Sequence, residues 1–363
     1  MVQKHKWFER LVMIRQNYYP SLTFVWLAFI SALILPIQFS VMPVVSQDDP
    51  FPLSRILSID WSPDGSLIAI GGGPAQCDQE SELYGIRIID VSTGQVVQSI
   101  EGHQCQVETV AWNSDGTQLV SGSADGNTFV WDTVSEQKVS SPGPPNAFES
   151  RIGQVWSPDD LRIADYYASS PNVYIWDAST GRTLFTFQDT EVISSLSWSP
   201  NSDRLAVGVW NAVRIVDTST ASRLSTFPLP GGDVISIVWS PDGTGLATGS
   251  VDNKIRILDS STGSITATLV GHIEVIEHVL PVTWSPDGSM LASGSADGSI
   301  RVWGAISGEE LETIQTSNPV YAVDWSPDGN KLAYGGLGGA IQMASVVTTC
   351  ETNVSPIVTS VPD

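Results

Sequence analysis

Cysteine is scarce in this 363-residue chain: there are three, Cys77, Cys105 and Cys350, and no Cys-x-x-Cys spacing. That leaves no zinc site built on thiolates. The four histidines, His5, His103, His272 and His278, do not form a plausible ligand set, so neither a metal nor another cofactor is expected. A Gly-rich phosphate cradle and an EF-hand calcium loop are also missing. Positive charge is the next shortage, with 17 Lys+Arg against 39 Asp+Glu. Lys4, Lys6, Arg10 and Arg15 lie before residue 47 beside a single acid, Glu9. The remainder carries 13 bases and 38 acids, a net of −25. Such a chain repels phosphate backbones, which argues against nucleic acid as a ligand.

What the chain has in quantity is tryptophan followed by a tight turn. Trp61-Ser-Pro-Asp-Gly65 recurs with small variations at Trp112, Trp156, Trp198, Trp239, Trp284 and Trp325, at spacings of 51, 44, 42, 41, 45 and 41 residues. A period near 40 marks a repeat array in which each unit buries its faces only against its neighbours. The sixth unit, Leu280–Ile314, divides into four short apolar or alternating runs separated by turn signals, as expected of a four-stranded antiparallel meander. Strand a ends at Trp284, strand b is Met290–Gly294, strand c is Ile300–Trp303, and strand d comes after a further turn. In five other units strand c ends on an aspartate: Asp90, Asp132, Asp177, Asp217 and Asp259. These carboxylates sit at the start of turns that end in Gly or a variant, so they read as turn chemistry and not as catalysts.

Trp131-Asp132 and Trp176-Asp177, with Gly102-His103 and Gly271-His272 ahead of strand a, resemble the WD-repeat (WD40) family over about residues 52–345. The resemblance implies an all-β, closed seven-bladed propeller. It also implies two structural tetrads, His103–Ser121–Asp125–Trp131 and His272–Ser293–Asp297–Trp303. The same residues superficially read as a nucleophilic triad, but a buried, repeating pattern fits a structural role. The seventh repeat, ending at Ile341-Gln-Met-Ala-Ser345, lacks Trp-Asp and an evident fourth strand. That strand is expected either from Val41–Gln47 or from Val347–Val358.

Between Gln16 and Gln47 there is no charge, and Ser21–Leu35 is strongly apolar with basic residues before it and Asp48-Asp49 after it. This polarity directs the C-terminal remainder of the chain across a membrane. A run of 15 helical residues suits the core of a signal peptide, with cleavage after Val44-Val45-Ser46. Alternatively, a helix continuing through Pro36 to about Val41 makes a retained anchor. Both readings stay open, although an N-terminal closing strand sits badly with cleavage after Ser46. The expected organisation is therefore an N-terminal basic and apolar segment (1–47), a propeller (48–346) that works as a monomer, and a tail (347–363).

Insertions concentrate in the b–c and d–a connections, which share one face of a propeller, whereas the a–b and c–d turns opposite are uniform. The variable face is the candidate surface for a protein or peptide partner. Phe148, Tyr166, Tyr167 and Trp210 are its candidate aromatic anchors, with Leu337 beside them. Cys77 and Cys105 fall on the same face, and a disulfide between them is compatible with export, two free thiols being the alternative. The residues two places before each repeat Trp are mostly apolar (Ile59, Val110, Leu196, Val323), Gln154 being the polar exception. No catalytic constellation is expected there, and the chain reads as a non-enzymatic interaction platform. A glycan-binding module using the same aromatics is the alternative, and a propeller enzyme a weaker one.

Overall fold

The computed structural model describes residues 37–44, 53–74, 77, 84–141, 151–167, 170–273 and 281–348. One unit spans Phe39–Val346; residues 1–38 and 347–363 form another, which contributes only strand ends to the described part. Seven four-stranded sheets, each with strands in the order a-b-c-d, form the blades. Blade 4 is representative, with a at Ile193–Trp198, b at Arg204–Val209, c at Ala212–Asp217 and d at Ser222–Pro228. The seven a strands are consecutive neighbours around a closed ring, and the last, Val320–Trp325, lies beside the first, Ile56–Trp61. No helix occurs among the described residues. The apolar helix expected before the repeats, Phe148, His278 and Cys350 lie outside them.

The repeated turn explains itself atom by atom. Ser62 Oγ donates to Asp64 Oδ1 (2.7 Å), and the Gly65 N–H donates to the Ser62 carbonyl (2.8 Å). The Leu67 N–H then returns to Ser62 Oγ (2.9 Å). Gly65 accepts φ of 71°, a conformation that costs a residue with a Cβ. Blades 3 and 4 replace this glycine by Asp160 and Ser202, at φ of 58° and 61°. Each uses its side chain to bind the preceding blade's turn: Ser114 N–H donates to Asp160 Oδ1 (2.8 Å), and Asp159 N–H donates to Ser202 Oγ (3.1 Å).

The repeat tryptophans join blade to blade. The indole N–H of Trp61, Trp156, Trp198 and Trp284 donates to a carbonyl of the preceding blade, at Asp324, Ala111, Val155 and Val238. Their rings sit in apolar clusters that bridge adjacent sheets, such as Trp198 with Val173, Ile175 and Leu205. Strand b is buried on both faces in most blades, because neighbouring sheets cover it on each side.

The seventh blade closes from the N-terminal side, with a strand that starts and ends earlier than the expected Val41–Gln47. Its strands a, b and c are Val320–Trp325, Lys331–Gly336 and Ile341–Thr348, and the fourth strand is Ile37–Val44. This strand lies upstream of Asp48, within the segment that hydropathy assigns to export. Residues 37–41 are thus extended, which removes the continuation of an N-terminal helix through Pro36 to Val41.

Candidate functional site

The d–a links and b–c turns share one rim, and the sequence candidates on it divide sharply. Trp210 and Asn211 form the two-residue b–c turn of blade 4 between the paired Val209 and Ala212, with Asn211 at φ of 55°. Trp210 projects from this hairpin tip and is 62% exposed. Leu337, in the b–c turn of blade 7, is 41% exposed. It borders a shallow cleft whose other walls include Asn318, Pro319 and Tyr334.

Tyr166 and Tyr167 correct the expectation. They end strand b of blade 3 and are only 4% and 3% exposed. The Tyr166 hydroxyl donates to the Ser194 carbonyl of the next blade (2.6 Å), and burial raises its pKa far above the ordinary phenol value. Tyr167 packs edge-on against Tyr174 (5.5 Å between centroids). A partner reaches neither ring: Tyr166 ties blade 3 to blade 4, and Tyr167 packs within blade 3. Two exposed apolar residues of the d–a links carry no distinguishing signal in the sequence: Ile273, 67% exposed, and Val192. Ile273 directly follows a tetrad histidine, so its backbone is fixed by its N–H donating to Asp297 Oδ2 (3.0 Å) while its side chain is left to solvent.

Below this apolar rim two arginines are paired with carboxylates. Arg214 Nε donates to Asp189 Oδ2 (3.0 Å) and its Nη2 to Glu191 Oε1 (3.3 Å), on the link that also carries Val192. Burial alone would raise the Asp189 pKa, but Arg214 and the Thr190 and Glu191 N–H groups more than offset it and leave it lowered. In blade 5 Arg256 is held by Asp252 (2.6 Å).

The tetrads assemble in two blades. His103 Nδ1 meets Asp125 Oδ2 (3.0 Å), its Nε2 meets Ser121 Oγ (2.8 Å), and the Trp131 indole N–H donates to that hydroxyl (2.8 Å). In blade 6 the matching distances for His272, Asp297, Ser293 and Trp303 are 3.0, 2.9 and 2.9 Å. Ser121 and Ser293 are fully buried, so no substrate reaches either hydroxyl. Burial lowers the His272 pKa, which keeps the ring neutral at neutral pH; a neutral ring with its proton on Nδ1 donates to Asp297 and accepts from Ser293. Cys77 and Cys105 are joined as a disulfide with Cα atoms 4.8 Å apart, tying the b–c loop of blade 1 to the link into blade 2. The backbone carbonyl of Cys105 accepts from Ser123 Oγ (3.0 Å).

The positions two places before each Trp lie on the wrong side of the strand for chemistry at the axis. They face the preceding blade, like the Trp itself, whereas residues one and three places before it face the following blade beside the axis. On that side several positions are polar. Ser58, Ser195 and Ser197 accept the N–H groups of Val110, Ile237 and Trp239, and Asp60 accepts that of Trp112 (2.5 Å). Across the seam between last and first blades, Asp324 Oδ2 accepts from the Trp61 N–H (3.4 Å). Burial raises the Asp324 pKa to about 7; burial and the neighbouring Asp324 raise that of Asp60 well above the usual range. Strict alternation outward from the Trp is the sequence signal that finds them. Among the described residues no group of three or more His, Cys, Asp or Glu side chains is placed to hold a metal ion.

The family model "WD domain, G-beta repeat" matches residues 94–132, 221–259, 263–304 and 308–343. Among curated proteins, the B-type cell cycle switch protein ccs52A of Medicago truncatula is 28% identical over 225 residues, covering 60% of this chain and 44% of that protein. WD repeat-containing protein slp1 of Schizosaccharomyces pombe is 28% identical over 227 residues, 58% of this chain and 42% of its own length. Protein FIZZY-RELATED 3 of Arabidopsis thaliana is 26% identical over 228 residues, with 61% and 44% covered. The chain thus spans less than half the length of these relatives.

Proposed function

For a chain that belongs to the WD-repeat β-propellers, we propose the work of a non-enzymatic interaction platform, exported or membrane-tethered, that binds a protein or peptide partner on its b–c/d–a rim. The observation that carries this reading is the indole of Trp210, presented to solvent on a rigid two-residue turn. A preordered aromatic on a hairpin tip loses little freedom on binding, which is what an interface anchor needs. Ile273, Val192 and Leu337 supply further apolar contacts on the same rim, and the salt-bridged Arg214 below holds it in shape. The opposite rim is occupied by its own aspartate-capped turns. Placement outside the cytoplasm is supported by the disulfide, which persists in oxidising compartments, and by basic charge ahead of the apolar run.

The test is quantitative cross-linking in the native host, comparing the wild-type chain with Trp210→Ala/Ile273→Ser. We expect the double variant to lose at least ten-fold in recovery of one specific protein set, with its thermal transition unchanged. Equal recovery by both proteins would sink the reading. Retention on cell-wall polysaccharide, lost in the same variant and without a protein partner, would favour the glycan-binding module.

A further inference from the structure

The strand that closes the ring, Ile37–Val44, lies upstream of the small-residue motif Val44-Val45-Ser46. We infer that the chain is not processed at that motif, and that the uncharged residues before Ile37 remain joined to the propeller as a membrane tether. This rests on the export reading above and deepens it, by choosing between a cleaved leader and a retained anchor.

Cleavage after Ser46 would remove every residue of the fourth strand of blade 7. Strand c, Ile341–Thr348, would then present an unpaired edge eight residues long, in a fold whose other six blades each carry four strands. Unpaired N–H and C=O groups on a long edge invite pairing with other chains. A processing event that opens the folded domain conflicts with the geometry of that domain.

The strand also moves the span. With residues 37–44 extended, an anchor cannot use them, and the uncharged run available ends at Leu35. Counted back to Arg15, it is Gln16–Leu35, 20 residues. As a helix this covers about 30 Å, the thickness of a bilayer core. On that register Pro20 falls in the first turns, near where a missing N–H is tolerated best. Tyr18 and Tyr19 fall at the basic end, at the depth where tyrosine favours the interface, and Arg10 and Arg15 stay on the cytoplasmic side.

The experiment uses the full chain with a C-terminal tag in a secretion-competent bacterial host. Membranes are washed with alkaline carbonate, the recovered chain is weighed by intact mass spectrometry, and the exposure of the propeller to external protease is scored. We expect one species that retains residues 16–47, stays in the washed membrane and is cut only from outside the cytoplasm. A mature N-terminus at Gln47, or anywhere between residues 17 and 47, on a soluble folded propeller overturns the inference. An unprocessed chain found in the cytosol overturns the export reading beneath it, a distinguishable failure. As a second measurement, Leu27→Arg/Ile30→Arg is expected to lower the carbonate-resistant fraction at least ten-fold; undiminished membrane recovery overturns the tether.

Discussion

Asp324 places a carboxyl at the seam where the ring meets itself, touching the backbone of blade 1 and, at 3.4 Å, the Thr283 hydroxyl of blade 6. Burial raises its pKa to about 7. A carboxyl whose folded pKa is raised holds its proton more tightly in the folded state than in the unfolded one. The contribution of Asp324 to stability is therefore greatest at low pH and falls as pH climbs from about 4 through about 7. Asp324→Asn keeps the shape and removes the charge. It is expected to stabilise by roughly 1–2 kcal/mol at pH 8 and to be close to neutral at pH 5, read from denaturant melts at both values. A destabilisation at pH 8 would show that the ionised carboxylate holds the seam. The exposed turn aspartates behave in the opposite sense: hydroxyl and backbone donors, first of all Ser219 and Ser261, pull Asp217 and Asp259 down to about 2, so they stay ionised throughout. At this scale the sequence was uneven. Trp210 was legible because a bulky aromatic replaced the small residues of other b–c turns. Tyr166 and Tyr167 were not, because one sequence does not show that strand b runs on to Tyr167 and buries both rings.

At the scale of the element, the blades were legible and their closure was not. Each Ser-Pro-Asp-Gly turn carries its own hydrogen bonds, so local chemistry reveals it. Ile37–Val44 carries no such signature; it continues an uncharged run and reads as more of the same segment. Only the ring, which leaves a vacancy beside strand c of blade 7, defines its role. Pro43 within that strand reports its register. A proline in an edge strand must direct its missing N–H away from the neighbour, and residues alternate in which side they bond. Ser40 and Met42 then bond inward to strand c, whereas Val41 and Phe39 face outward. Ser40→Pro is expected to lower stability by about 3 kcal/mol, and Val41→Pro by less than about 1 kcal/mol. Thermal melts of the two variants check this, and equal effects would refute the register. The Cys77–Cys105 bond is a second closure, confined to blade 1 and its outgoing link, and it was suggested in sequence by two cysteines falling on one rim.

The whole molecule carries a net charge of −22, with much of the acid in the regular turns where it caps backbone N–H groups. Each carboxylate is locally satisfied, yet together they repel through water. Raising ionic strength from about 10 to 150 mM shortens the Debye length from about 30 to 8 Å, and is expected to raise the melting temperature by roughly 2–5 °C. A melting temperature that falls with salt would mean that attractive pairs such as Arg214–Asp189 outweigh the repulsion. Periodicity showed the repeat number, because it is a property of the whole chain, and the resemblance to the WD-repeat family implied the propeller. The working rim was only partly legible, since exposure is decided between blades and not within them. Ile37–Val44 gives the assembled ring one more property. The two ends of the propeller are joined there by the backbone ladder of a strand eight residues long, outside the inner seam where Trp61 meets Asp324. Tension applied through the N-terminal segment is taken up by that ladder before any other sheet feels it. Under force applied through that segment, the seventh blade is expected to open first while the other six keep their shape.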